Sequence, residues 1–449
     1  MLTDQGALRA RLEGIVGPPQ VTSGPGANGA FAVDGQVPGL VVRPGTQEEA
    51  AQVVGACAAA GAALVPWGGG TAMGLGNPPA RVDAVVRLDR LDRVVEWDPA
   101  NLCVTAEAGM RLAALEELTA RHKAVLPLDP PAARQVTLGG LVAANQSGPG
   151  RLLYGTVRDW LLGLRVVLPD GERIHCGGRV IKNVSGYDMN KLFIKSLGTL
   201  GIITEVTFKL LPMPAQRTVA IGLFPDAPAA WKVVQRTLAS FLLPEALEFF
   251  NPAALALLLP DLGVPAMPGA CALAVSLAGS PETVSRQTRD FATLFTAGGG
   301  KAVTLAGEPA ATAWEAVRNL RGRPAGTRIL SQVAVPISRT GALAAAAEKA
   351  GESCGCPAVV TAHAGSGVVW ALFLPGSQPD SALAGALKEL RLEAEAAEGS
   401  LVLQEAPPAV KRNLDAWGAP GGGLGMMRKL KAEFDPRGVC NPGRFVGAI

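Results

Sequence analysis

From Leu40 onward, short apolar runs alternate with stretches whose apolar residues recur at helical spacing. Leu40-Val41-Val42 reads as a strand stopped by Pro44-Gly45. Thr46-Gln47-Glu48-Glu49 behind it has the form of a capping box, and Ala50, Val53, Val54, Cys57 and Ala58 continue as one helical face. Ala63 to Pro66 is the next strand, and it runs straight into Trp67-Gly68-Gly69-Gly70-Thr71. Strand, helix, strand and glycine turn form the unit of a parallel α/β layer. Upstream, Gly6 to Ile15 reads as a short helix, followed by a Gly/Pro-rich connector to residue 30.

The pattern continues with strands at Ala84 to Leu88 and Leu102 to Glu107 and a helix at Leu112 to His122. Leu161 to Leu168 and Arg173 to Cys176 flank Pro169-Asp170-Gly171, a hairpin signal. Lys191 to Leu197 reads as helical, and Ile202 to Leu211 as a strand closed by Pro212 and Pro214. Beyond Pro214 the texture changes. Strands are predicted at Arg217 to Leu223, Ala272 to Leu277, Gln332 to Pro336 and Val368 to Leu374. Helices are predicted at Trp231 to Phe241, Pro281 to Thr296 and Gly341 to Ala350, which together suit an antiparallel α+β domain. The tail carries Gly421-Gly422-Gly423 and a helix near Met426 to Glu433. The expected organisation is a helix and connector over 1–30, a first domain over 31–215, a second over 216–415 and a tail over 416–449.

Composition narrows the function. Of 449 residues, 48% are hydrophobic and 18% charged, which argues against disorder. That apolarity reads either as an alanine-rich bias or as a buried contact with a partner subunit. The net charge is +3 with no Lys/Arg cluster, so a nucleic-acid partner is not expected. Seven scattered cysteines suit reduced thiols in a cytoplasm and supply no spaced series for an iron–sulfur cluster. The start of the sequence lacks the basic and apolar regions of a signal peptide. The most apolar long window, Ala254 to Gly279, is broken by Pro260, Pro265 and Pro268 and reads as a helix end, a loop and a buried strand, not as a membrane span.

Three segments carry candidate chemistry. In Pro66 to Gly74, consecutive glycines free the backbone to approach a ligand, and bare N–H groups can hold a diphosphate without a cation. Its spacing is neither the nucleotide P-loop nor the dinucleotide fingerprint. The second segment runs from Leu126-Pro127-Leu128-Asp129-Pro130 through Thr137-Leu138-Gly139-Gly140 to Asn145-Gln146-Ser147-Gly148-Pro149. The third joins Lys182 to Asp188 with Ser196-Leu197-Gly198-Thr199-Leu200-Gly201. Each is weak alone; together they describe walls for an extended anionic ligand.

These segments, with Tyr154 to Asp159 and Asn441-Pro442-Gly443-Arg444, resemble the FAD-binding domain of the vanillyl-alcohol-oxidase (PCMH-type) flavoproteins, most closely the FAD-binding subunits of glycolate oxidase. The resemblance is dense over about 30–215. It implies an α+β fold: a two-lobed PCMH-type FAD-binding domain, an α+β cap with an antiparallel sheet, and a C-terminal tail returning to the first domain. It implies FAD, held by Pro66, Trp67, Gly68, Gly69, Gly70, Thr71, Ala72 and Gly74 in the first segment. Pro130, Thr137, Gly139, Gly140, Asn145, Ser147, Gly148 and Tyr154 follow in the second, then Gly198, Gly201, Ile202 and Ile203, and Asn441 in the tail. Some relatives attach the flavin through a His in the glycine turn; Thr71 stands there, so non-covalent FAD is expected.

Related D-2-hydroxy-acid dehydrogenases bind a divalent metal through His-x-Gly-Asp-Gly-Asn-x-His and a later Glu before His-Gly. Here that stretch is His363-Ala364-Gly365-Ser366-Gly367-Val368-Val369-Trp370, and the later element is Gln404-Glu405-Ala406-Pro407. One His remains, so no metal is expected. The resemblance then implies an FAD-bearing subunit of a 2-hydroxy-acid (glycolate or D-lactate) oxidoreductase complex. Its partners would be a sibling FAD subunit with the metal-dependent site and an iron–sulfur subunit, located in the cytoplasm and touching a membrane only through them. The alternatives are a self-sufficient, metal-free dehydrogenase and a structural flavin subunit without turnover. Arg318, Arg321 and Arg323 read as a solvated or interface run before a carboxylate site, Tyr154 and Tyr187 as cofactor contacts or packing, and Cys354-Gly-Cys356 as incidental thiols.

Overall fold

The structure is a computed structural model that describes residues 4–180, 186–322, 326, 329–374, 376 and 379–449. Three sheets of four or more strands organise the described residues. The first contains β1 (Val21–Ser23), β2 (Leu40–Val42), β3 (Leu64–Trp67) and β4 (Ala84–Arg87) in the order β1-β2-β4-β3. β2 and β3 both run parallel to β4, as the strand–helix–strand pattern requires. The helix Gln47–Ala59 covers this sheet with Val53, Val54 and Cys57 fully buried. Thr46 caps it by accepting from the Glu49 N–H, while the Glu49 carboxylate reaches back to the Gly45 N–H.

The second sheet contains β5 (Val94–Asp98), β6 (Cys103–Glu107), β7 (Leu161–Val167), β8 (Arg173–Gly177) and β9 (Ile202–Lys209), all antiparallel, with β9 in the middle. The helix Leu138–Ala144 packs on it and joins one core with Leu112, Leu115 and Phe208.

The third is an eight-stranded antiparallel sheet built from β10 (Gln216–Phe224), β11 (Ala246–Phe250), β12 (Cys271–Gly279), β13 (Lys301–Ala306), β14 (Ile329–Ala334), β15 (Ala358–His363), β16 (Val368–Phe373) and β17 (Ser400–Glu405). Helices cover both faces, so β12, β15 and β16 read as continuous apolar runs. The tail returns to the first sheet: the Leu64 N–H donates to the Val439 carbonyl and the Asn441 N–H to the Leu64 carbonyl, at 2.8 Å each. Among the described residues, no helix is long and apolar enough to cross a membrane.

The segment from Lys191 to Leu197 differs from its helical expectation. The helix is Asn190–Phe193, after which Lys195 and Leu197 both adopt left-handed φ values of 64° and 53°. Their N–H groups bond instead to the Val142 and Ala143 carbonyls of the helix Leu138–Ala144.

Candidate functional site

A channel runs along the glycine turn between the first two sheets. Pro66, Gly68, Gly70, Thr71 and Ala72 line it, together with Gly139, Gly140, Gly198, Gly201, Ile203 and Asn441 from the predicted set. The hydrogen-bond inventory of the turn is lopsided. The N–H groups from Gly69 to Gly74 donate to no acceptor among the described residues. The carbonyls opposite are tied down: Ala72 accepts from the Leu75 N–H, Met73 from Arg444 at 2.7 Å, and Gly74 from Lys411 at 2.6 Å. A run of half-buried unpaired amides is a concavity for an anion. The channel is kept open by missing side chains, since a Cβ on Gly198 would stand 2.7 Å from the Pro66 ring.

Other predicted residues stand behind the channel. Trp67 packs edge-on against Phe31, its ring centroid 5.3 Å away. Gly69 lies against the Gln135 backbone and Gly148 against Asp129. Thr137 caps the helix Leu138–Ala144, Ile202 is fully buried, and the Pro130 carbonyl accepts from Arg318. Lys182, Asn183, Val184 and Ser185 of the third segment, and Arg323, lie outside the described residues. Tyr187 is 95% exposed, Asp188 pairs with Lys191, and Cys354 and Cys356 are buried.

The turn is anchored by a buried ion network that the sequence did not signal. Lys411 and Arg444 both bond Asp34, at 2.6 and 2.9 Å, and all three side chains are nearly inaccessible. Removing one partner of a buried pair leaves an uncompensated charge. Asp34→Ala is therefore expected to lower unfolding stability by about 3–5 kcal/mol in denaturant titration.

At Thr71, Ala72 and Ala144 the channel passes into a cleft between the first two sheets and the eight-stranded sheet. Gly74, Asn145 and Ser147 reach it from the predicted set. Three cations also line it, Arg151, Lys195 and Arg321, with Glu405 as the acidic side chain. Arg321 is no solvated arginine. Its guanidinium stacks 3.8 Å over the Trp370 ring and donates to the Ser147 carbonyl. Burial lowers its pKa to about 10, still high enough to keep it charged at neutral pH. Arg318 is occupied behind it, paired with Glu116.

His363 and Trp370 are neighbours across β15 and β16. The Trp370 indole N–H donates to His363 Nε2 at 3.0 Å. An indole nitrogen can only donate, so Nε2 is unprotonated and Nδ1 carries the hydrogen toward Glu248, 2.7 Å away. Both ring nitrogens are thus engaged. Burial, reinforced by Arg321 and Arg151, holds the imidazole pKa well below its usual value, and burial raises that of Glu248.

Tyr154 lies outside both cavities' linings, donating to Glu245, which also takes a two-pronged contact from Arg217 and a hydrogen bond from Ser276. Nearby, Asp129 is buried and accepts from the Gly150 N–H; desolvation raises its pKa to about 7. With the folded pKa raised, the native chain holds a proton that the unfolded chain has released, so stability falls as pH rises from about 4 to 7. Asp129→Asn should match wild type in acid and exceed it above pH 7 by on the order of 4 kcal/mol, read from denaturant midpoints across pH.

The amide-lined channel opening into a two-domain cleft defines a flavoprotein of the FAD-linked oxidase class. The family of the FAD binding domain matches residues 38–177, and that of the C-terminal domain of FAD linked oxidases matches 213–445. The chain belongs to the FAD-linked oxidase family; FAD is its cofactor and it is an FAD-dependent oxidoreductase. It is 28% identical to glycolate oxidase subunit GlcD of Bacillus subtilis over 422 residues, 91% of this chain and 89% of that one. It is 38% identical to glycolate oxidase subunit GlcE of Escherichia coli over 152 residues, 34% of this chain and 43% of that one. The fold is that of 4-ethylphenol oxidase from Gulosibacter chungangensis, with a TM-score of 0.77 at 15% identity, covering 98% of this chain and 96% of that one.

Proposed function

We propose that the chain is the FAD-bearing subunit of a multisubunit oxidoreductase acting on a small 2-hydroxy acid such as glycolate or D-lactate. The observation that carries this reading is the cationic cleft at the end of the cofactor channel. Arg151 and Arg321 stand where a substrate carboxylate needs a counter-charge, and a planar guanidinium holds a carboxylate by two parallel hydrogen bonds. The amides of Gly69 to Gly74 hold the diphosphate of FAD, and the remaining predicted residues flank it or support its walls. When bound, the flavin accepts the hydride from the substrate α-carbon. The chain's own side chains bind and orient the acid and keep water from the reacting carbon. No His at position 71 is present for a covalent link, and the flavin is held without one.

Orientation here does not run through a metal. Trp370 fills one ligand position and occupies the lone pair of the His363 that would supply another. The names of the relatives GlcD and GlcE favour an assembly of similar flavin subunits. Seven buried cysteines, of which only Cys354 and Cys356 are close in the sequence, favour an iron–sulfur relay on another chain. The test is anaerobic titration of the FAD-loaded protein with glycolate and D-lactate while following the flavin band, with the co-purifying proteins identified. Bleaching supports the reading; a flavin untouched by either acid, alone and with its partners, removes it.

A further inference from the structure

Oxidation of a hydroxy acid releases a proton from the hydroxyl as well as a hydride from carbon, so the cleft needs a group to take it. Four titratable side chains line the cleft: Arg151, Lys195, Arg321 and Glu405. The guanidiniums keep their protons. His363 is shut off behind Trp370, its accepting nitrogen already filled. Glu405 packs against the cofactor turn, 3.1 Å from where a Gly74 Cβ would be.

Lys195 is different on three counts. Its backbone is left-handed, φ 64°, a conformation that costs energy for a residue with a Cβ and that concentrates at functional sites. That conformation is held by the bond from its N–H to the Val142 carbonyl. Its ammonium sits 5.6 Å over the Trp417 ring and meets no hydrogen-bond acceptor or carboxylate among the described residues. Arg151 on the helix Arg151–Tyr154, Arg321 from the cap and Glu405 on β17 line the same cleft. Burial first, and then the charge of Arg151, lower its pKa.

We propose that Lys195 is the general base of this cleft, accepting the hydroxyl proton of the substrate. This rests on the hydroxy-acid reading. The neutral amine of Lys195 takes the proton; the O–H bonding pair becomes the second C–O bond. The Cα–H pair leaves as hydride to the oxidised flavin. The products are the 2-oxo acid, the reduced flavin and a lysine ammonium that later returns its proton to water.

The experiment compares wild type, Lys195→Arg and Lys195→Gly, all FAD-loaded, in anaerobic rapid mixing with glycolate, D-lactate and D-2-hydroxyglutarate. Lys195→Gly removes the left-handed strain, so it folds at least as well as wild type, and its melting temperature and flavin spectrum verify this. The expected result is flavin reduction slowed about 100-fold or more in both variants. The wild-type rate rises with pH along one limb that both variants lack, and ethylamine restores part of the rate to Lys195→Gly. A Lys195→Arg protein that reduces at the wild-type rate with the wild-type pH profile overturns the proposal, since a guanidinium already holds its proton and cannot take another. A wild-type flavin that none of the three acids reduces overturns the hydroxy-acid reading and the proposal with it; wild-type bleaching with equal variants overturns only the role of Lys195.

Discussion

A Gly69→Ala protein is expected to purify without its yellow colour. The new Cβ would overlap the Gln135 carbonyl oxygen and stand 2.7 Å from the Arg111 guanidinium. The Gln135 obstacle is backbone and cannot swing away, so the turn must shift. The N–H groups of Gly69 to Gly74 hold an anion only while they converge. A charge-assisted hydrogen bond contributes about 1.5–3 kcal/mol, so losing two weakens FAD binding by roughly 3–6 kcal/mol, a factor of about 10² to 10⁴. Flavin absorbance per protein and an FAD titration of the apoprotein measure it. Thr71→Ser adds no atom to the channel and should stay yellow.

The second large effect is expected at Arg321. Arg321→Ala removes the cation stacked on Trp370, the donor to Ser147 and a guanidinium facing the cleft. It also withdraws a positive charge that offsets the buried Glu248. Truncating one member of a desolvated charge arrangement costs about 2–5 kcal/mol. The rate of flavin reduction at low substrate should fall by roughly 30-fold to more than 1000-fold, while FAD content stays near wild type because Arg321 lies outside the cofactor channel. Arg321→Lys should recover only part of this, since an ammonium neither stacks as a plane nor binds a carboxylate with two parallel donors. Equal loss of FAD and of substrate response would show that Arg321 supports the fold and not the cleft.

The parallel first sheet and the glycine turn were readable because each rests on local rules: a capping box, a β-run and residues without Cβ atoms. The strands Ala246–Phe250 and Ala358–His363 are not legible in the sequence, because strands covered on both faces lose their alternation. The cofactor wall was legible and its anchors were not. Asp34, Lys411 and Arg444 lie 377 and 410 positions apart along the chain, and no spacing rule links such distances. The place of Arg321 is illegible for the same reason: a basic run looks solvated until the sheet carrying Trp370 folds beneath it. Lys195 gives no signal either: the sequence reads as helical through Leu197, and it is the structure that ends the helix at Phe193.

Lys411 and Arg444 lie 337 and 371 positions along the chain from the residues near 70 whose carbonyls they hold. During synthesis the ribosome must therefore pass residue 444 before the nucleotide's seat is rigid. Nascent chains halted short of that point should carry little flavin.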